Sequence, residues 1–309
     1  MRHERAALFG AALVSVAVLG AACGSSSDSG GGAGGAASPT AGGVSVVAST
    51  NVYGDIARQI AGDKATITSI ISDPAADPHS YEANTRTQLD LSRADVVIEN
   101  GGGYDDFVDT MLKSANSDAI VLDAVDISGR AATGGGELNE HVWYDLPAMA
   151  KLADQLVAAL STADPGNAGT FRANADAFKQ KLQGLEQDAA AVKAAHDGVG
   201  VAITEPVPLY LLEACGLVNK TPEEFSEAIE EGTDVPAAVL KDTIDLFAGK
   251  QVQLLAYNEQ TAGPETEKVL AAAKEHQVDV LPVTETLPAG TDYVTWMGGN
   301  LSAIETALR

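Results

Sequence analysis

Two of the five histidines stand where an imidazole could do chemistry. His79 follows Asp73-Pro74-Ala75-Ala76-Asp77-Pro78, and the two prolines restrict that loop so that the ring is held with little ordering cost. His141 opens His141-Val142-Trp143-Tyr144-Asp145, directly ahead of Pro147, a residue tolerated at a helix start. Asp145 is placed either to accept a hydrogen bond from the second nitrogen of a ligating His141 or to cap the helix. Two glutamates follow apolar runs: Glu205 in Thr204-Glu205-Pro206 and Glu285 in Thr284-Glu285-Thr286. A carboxylate at such a place must be solvated, paired or metal-bound, and solvation is the default for any one of them. Together, two imidazoles and two carboxylates make a four-ligand set for a divalent transition metal; calcium or magnesium would ask for more oxygen and less nitrogen. His196 and His276 lie at helix ends among polar residues, where a surface histidine needs no special role.

The elements that must position these groups alternate. Apolar runs at 44–49, 67–71, 96–98 and 120–122 read as buried strands, with amphipathic helical stretches between them. A helix from about Asp145 to Leu160 follows, and Asp164-Pro165 opens a second that runs to about His196. Its apolar positions, Phe171, Phe178, Leu182, Leu185 and Val192, are spaced by three, four or seven, and about 30 residues of helix span roughly 45 Å. The rhythm then restarts with strands at 199–204, 254–257 and 278–283 and helices at 209–214, 265–276 and 293–308; between 214 and 254 the pattern places no element. The expected fold is α/β, with parallel sheets covered by helices, the candidate ligands lying beyond strand C-termini, and no internal sequence repeat.

The first 23 residues stand apart from this body. Arg2 and Arg5 precede a short apolar run from Ala6 to Leu19, and Gly20-Ala21-Ala22 leads into Cys23. These are the parts of a secretory signal, in an order that resembles a bacterial lipoprotein signal with Cys23 as the lipidated residue, although Gly20 stands where a leucine-like residue is usual. Residues 24–43 are Gly/Ser/Ala-rich and read as a flexible leash. Beyond Cys23 the chain has only Cys215, so an intramolecular disulfide or a four-cysteine zinc site in the body is excluded. A formal net charge of -24 disfavours nucleic acid as a partner.

The body resembles the cluster A-I metal-binding receptors of ABC importers, a family that includes zinc and manganese receptors. Val47-Ala48-Ser49-Thr50-Asn51-Val52-Tyr53-Gly54-Asp55-Ile56-Ala57 is similar to the family's opening strand and helix. Asp77-Pro78-His79-Ser80-Tyr81-Glu82 resembles its first-ligand motif, and Asn139-Glu140-His141-Val142-Trp143-Tyr144-Asp145 its second. Glu205, five residues before Tyr210, falls at the third ligand position, and Glu285 at the fourth, where the family usually has aspartate. Asn258 or Glu259 is an alternative neighbour of the ion.

The resemblance implies two lobes, each with a mostly parallel four-stranded sheet, joined by one long rigid helix that allows little lobe motion. The expected organisation is a signal at 1–23, a linker at 24–43, an N-terminal lobe at 44–165, a connecting helix at 166–197 and a C-terminal lobe at 198–309. The implied activity is capture of Mn2+ or Zn2+, with Fe2+ behind them, by a monomeric, lipid-anchored protein on the outer face of the cell membrane, and delivery to an ABC permease. Two histidines with two carboxylates match the manganese or iron type by residue kind. The rivals are a receptor for a metal chelate such as a siderophore or corrinoid, a zinc-dependent hydrolase, and an adhesin with structural metal. The hydrolase lacks a His-Glu-x-x-His helix and a Gly-x-Ser-x-Gly elbow.

Overall fold

The computed structural model describes residues 43–76, 78–132 and 137–309. The signal-like segment with Cys23, most of the Gly/Ser/Ala linker, Asp77 of the first histidine motif and residues 133–136 lie outside the described residues.

Among the described residues, eight strands form two four-stranded sheets. The first holds β1 (Val44–Thr50), β2 (Ala65–Ile71), β3 (Val96–Glu99) and β4 (Ile120–Asp123) in the order β2-β1-β3-β4. The second holds β5 (Gly200–Ile203), β6 (Val218–Asn219), β7 (Leu254–Asn258) and β8 (Asp279–Val283) in the order β6-β5-β7-β8. Every pairing is parallel. Each sheet therefore repeats one winding scheme, in which the chain moves to one side of its first strand and then crosses to the other. The reversal lies between β1 and β3 in one sheet and between β5 and β7 in the other. A ligand of an open parallel sheet meets the strand C-termini at such a place.

Residue alternation assigns the sheet faces. Val46, Ala48, Val96 and Ile98 join the largest apolar core, whereas Val47 and Val97 face the opposite way onto Leu91, Val108 and Leu112. In the second sheet, Val201, Ile203, Leu254 and Ala256 face the large core, while Ala202, Leu255 and Tyr257 pack with Phe225, Phe247 and Val269. Both faces of each sheet are covered, which is why the strands read as continuous apolar runs.

The helix Ala168–His196 has 29 residues, about 44 Å at 1.5 Å per residue. Phe171, Ala175, Phe178, Leu182, Leu185, Ala189 and Val192 are its buried stripe, and all belong to the core that holds β1 and β5 alike. One apolar core thus runs along this helix from the first sheet to the second. Cys215 is a buried free thiol, and burial pushes its pKa up to about 12, so it is an inert packing residue.

Candidate metal centre

His79 sits on a 3-10 turn, Pro78–Ser80, in the loop that follows β2. Bonds from the other lobe hold that loop. The Gln260 Nε2 donates to the Ala76 carbonyl at 2.6 Å, and the Thr286 hydroxyl donates to the Pro74 carbonyl at 2.9 Å. Gln260 also accepts from the Glu285 backbone N–H at 2.6 Å, so one side chain ties the His79 loop to Glu285.

His141 is fully buried after β4, at the start of the 3-10 turn Val142–Tyr144. Asn139 orients its ring. Asn139 Oδ1 accepts the His141 backbone N–H at 3.1 Å, so this atom is the acceptor end of the amide, and it lies 2.8 Å from His141 Nδ1. His141 Nδ1 therefore carries the proton and Nε2 presents its lone pair. Burial, with the neighbouring His79 charge, lowers the His141 pKa well below the usual imidazole value, so the ring is neutral. Among the described residues, the Nε2 atom has no hydrogen-bond partner. Asp145 takes neither role offered by the sequence: it does not cap the following helix, and it accepts from Arg130 Nε at 2.7 Å.

Glu285 lies beyond β8 and is 1% exposed. Its Oε2 stands 3.4 Å from His79 Nε2 and 4.0 Å from His141 Nε2, and accepts from the Tyr104 hydroxyl at 3.2 Å. Glu205, beyond β5, accepts from the Thr261 hydroxyl at 2.6 Å. Asn258, at the end of β7, donates its amide to both Glu205 and Glu285. Its orientation is fixed because Asn258 Oδ1 accepts the Gln260 backbone N–H at 3.0 Å. Asn258 thus joins the two carboxylates across the β5–β7 switch, while Glu259 is exposed.

Two further carboxylates meet the histidines. One donor atom each from His79, Glu140, His141 and Glu230 lie within 4.8 Å of one another. Glu230 Oε1 is 3.5 Å from His141 Nε2 and, like it, is buried without a hydrogen-bond partner among the described residues. Sequence reasoning quoted Glu140 only as a motif neighbour of His141 and passed over Glu230. The available signal was the spacing Glu223, Glu227, Glu230, an acidic face opposite Phe225, Ala228 and Ile229.

Tyr104 and Trp143 wall the imidazoles, with Tyr104 edge-on to His79 at 4.9 Å between ring centres and Trp143 at 5.0 Å from His141. Tyr104 is delivered by Gly101-Gly102-Gly103, all at positive φ, and a side chain at Gly101 would strike the Asp123 carboxylate.

The electrostatics are those of crowded, part-desolvated anions. Burial, and then Glu140, raise the Glu230 pKa to about 9; burial, and then Glu285, raise that of Glu205 to about 7. Burial alone would lower the His79 pKa, but the hydrogen bond and charge of Glu285, with Glu140 and Glu230, raise it to about 9. Four glutamates around two imidazoles repel one another, and a cation placed among them relieves that repulsion.

Two lobes that bring imidazoles and carboxylates together at their facing strand ends define a binding protein for a small cation. The chain belongs to the family described as zinc-uptake complex component A, periplasmic, which matches residues 46–307. It is 26% identical over 258 residues to the manganese-binding lipoprotein MntA of Halalkalibacterium halodurans, covering 77% of this chain and 81% of that protein. Its fold is that of the periplasmic zinc-binding protein TroA from Treponema pallidum, with a TM-score of 0.70 at 20% identity, covering 86% of this chain and 99% of the other. The FpvC protein of Pseudomonas aeruginosa, solved in complex with Mn2+, superposes with a TM-score of 0.71 at 24% identity, covering 86% and 98%.

Proposed function

We propose that this chain captures one divalent transition-metal ion outside the cytoplasm and hands it to the membrane permease of an ABC-type importer. The ion, Mn2+ or Zn2+ with Fe2+ next, is cargo. His79 and His141 bind it as neutral imidazoles, and Glu285 and Glu205 supply anionic oxygen. The carrying observation is the fully buried, unpartnered Nε2 of His141, held in its lone-pair tautomer by Asn139 and standing 4.0 Å from Glu285 Oε2. A buried nitrogen left without a partner is costly unless something completes it. Lipidation at Cys23 would keep the body beside its permease as a monomer. No covalent step is asked of the chain, which acts as a receptor and not as an enzyme.

The test is the metal content of protein purified without added metal, together with calorimetry on His79→Ala combined with His141→Ala. The expected result is one ion per chain in the wild type and an affinity loss of at least about 100-fold in the double variant, with helix content retained by circular dichroism. Unchanged affinity in that variant overturns the reading.

A further inference from the structure

We propose that Glu230 is an additional metal ligand, a carboxylate that closes the coordination shell from the solvent side and favours Mn2+ over Zn2+. This rests on the capture reading above and deepens it.

Glu230 is the last residue of the helix Glu223–Glu230. Phe225 and Ala228 bury one face of that helix, and Phe225 belongs to the outer core of the second sheet, so the helix is fixed to its lobe. The opposite face carries Glu223, Glu227 and Glu230, spaced by four and three. That face walls a cavity of about 410 Å³ whose lining also includes Glu137, Glu140 and His79 and, among the described residues, no lysine or arginine. A cation reaching the histidines by this route passes glutamate side chains, and it meets the C-terminal, electronegative end of the helix at Glu230.

The local geometry fits ligation. Donors bound to one ion at about 2.0–2.2 Å stand roughly 3–4.4 Å from each other. Glu230 Oε1 is 3.5 Å from His141 Nε2, and neither atom has a hydrogen-bond partner among the described residues. The wider set of His79, Glu140, His141 and Glu230 falls within 4.8 Å, a small side-chain adjustment from that range. The two buried unpartnered atoms face each other, one nitrogen donor and one oxygen donor, as a shared cation would have them. Adding Glu230 to His79, His141, Glu205 and Glu285 gives three carboxylates and two imidazoles. Zinc is satisfied by four ligands, whereas oxygen-rich shells of higher coordination suit manganese.

Glu230→Gln keeps the size of the side chain and removes its anionic oxygen. The full chain is titrated with Mn2+ and with Zn2+ by calorimetry, and the visible spectrum of its Co2+-loaded form is recorded. The expected result is Mn2+ affinity reduced about 10–100-fold, Zn2+ affinity reduced by less than about 5-fold, and a Co2+ absorption that grows more intense as the ion falls to four-coordination. Glu224→Gln, the same charge change on an exposed position of the same helix, leaves all three readouts at wild-type values. Wild-type behaviour of Glu230→Gln, or equal losses in the two variants, overturns the proposal. If the His79 and His141 double variant also binds normally, it is the capture reading that has failed.

Discussion

Protons compete for the same atoms that would hold the ion. With its pKa raised to about 9, His79 carries a proton at neutral pH, and so does Glu230, whose carboxyl is also raised to about 9. Glu205, raised to about 7, is partly protonated there. Burial, with the His79 charge, lowers the His141 pKa well below the usual imidazole value, so its ring is neutral at neutral pH. A metal ion must displace these protons, so affinity falls as pH falls and levels off only above about pH 9. Calorimetry at pH 6 to 9, in buffers of different ionisation enthalpy, is expected to find about two to three protons released per ion at pH 7. A dissociation constant that is flat between pH 6 and 9, with no proton release, contradicts this electrostatic picture. His79 and His141 were visible in the sequence because loop, proline and motif context set them apart from the helix-end histidines. Glu230 was not, since it sits at a helix end and reaches the site only through the tertiary fold.

The elements were legible wherever burial imposes a pattern. β1, β3, β5 and β7 are covered on both faces and stand out as apolar runs. The stripe Phe171, Phe178, Leu182, Leu185 and Val192 announced the long helix, and all five are buried in it. β6 was invisible because it is two residues long and Val218 is 40% exposed. The helix Glu223–Glu230 was missed because three glutamates turned toward a cavity leave only Phe225, Ala228 and Ile229 to mark its core side. The two sheets share one strand order although their sequences show no repeat, because topology constrains which positions are apolar and not which residues fill them. Within the long helix, Gly184 is an unforced weakness: a β-carbon there would meet nothing within 4 Å. Gly184→Ala is therefore expected to stabilise the protein by about 0.5–1 kcal/mol in urea or thermal melts, leaving metal affinity unchanged. A destabilised variant would show that the helix needs the bare backbone at that point.

At the scale of the whole molecule, the question is whether the lobes close on the ion or already stand closed. Side chains of each lobe bond the backbone of the other all around the site. Asn51 donates to the Leu287 carbonyl at 2.9 Å and accepts its N–H at 2.8 Å. Tyr144 donates to the Thr284 carbonyl, Tyr293 to the Trp143 carbonyl, Asn139 to the Pro206 carbonyl and Tyr210 to the Asn139 carbonyl. Beneath this seam one apolar core continues from β1 along the connecting helix to β5 and Tyr293. A hinge of large amplitude would have to break several of these bonds and open that core together. Loading and release are then expected to be local, confined to the His79 loop and the glutamates of the mouth. Small-angle X-ray scattering of metal-free and Mn2+-saturated protein is expected to give radii of gyration that agree within about 1 Å. Gln260→Ala, which cuts the tie between the His79 loop and Glu285, is expected to weaken metal binding about 10-fold with the same overall radius. A compaction of several ångströms on loading would mean instead that the seam opens in solution and that ion capture is a lobe-closing event.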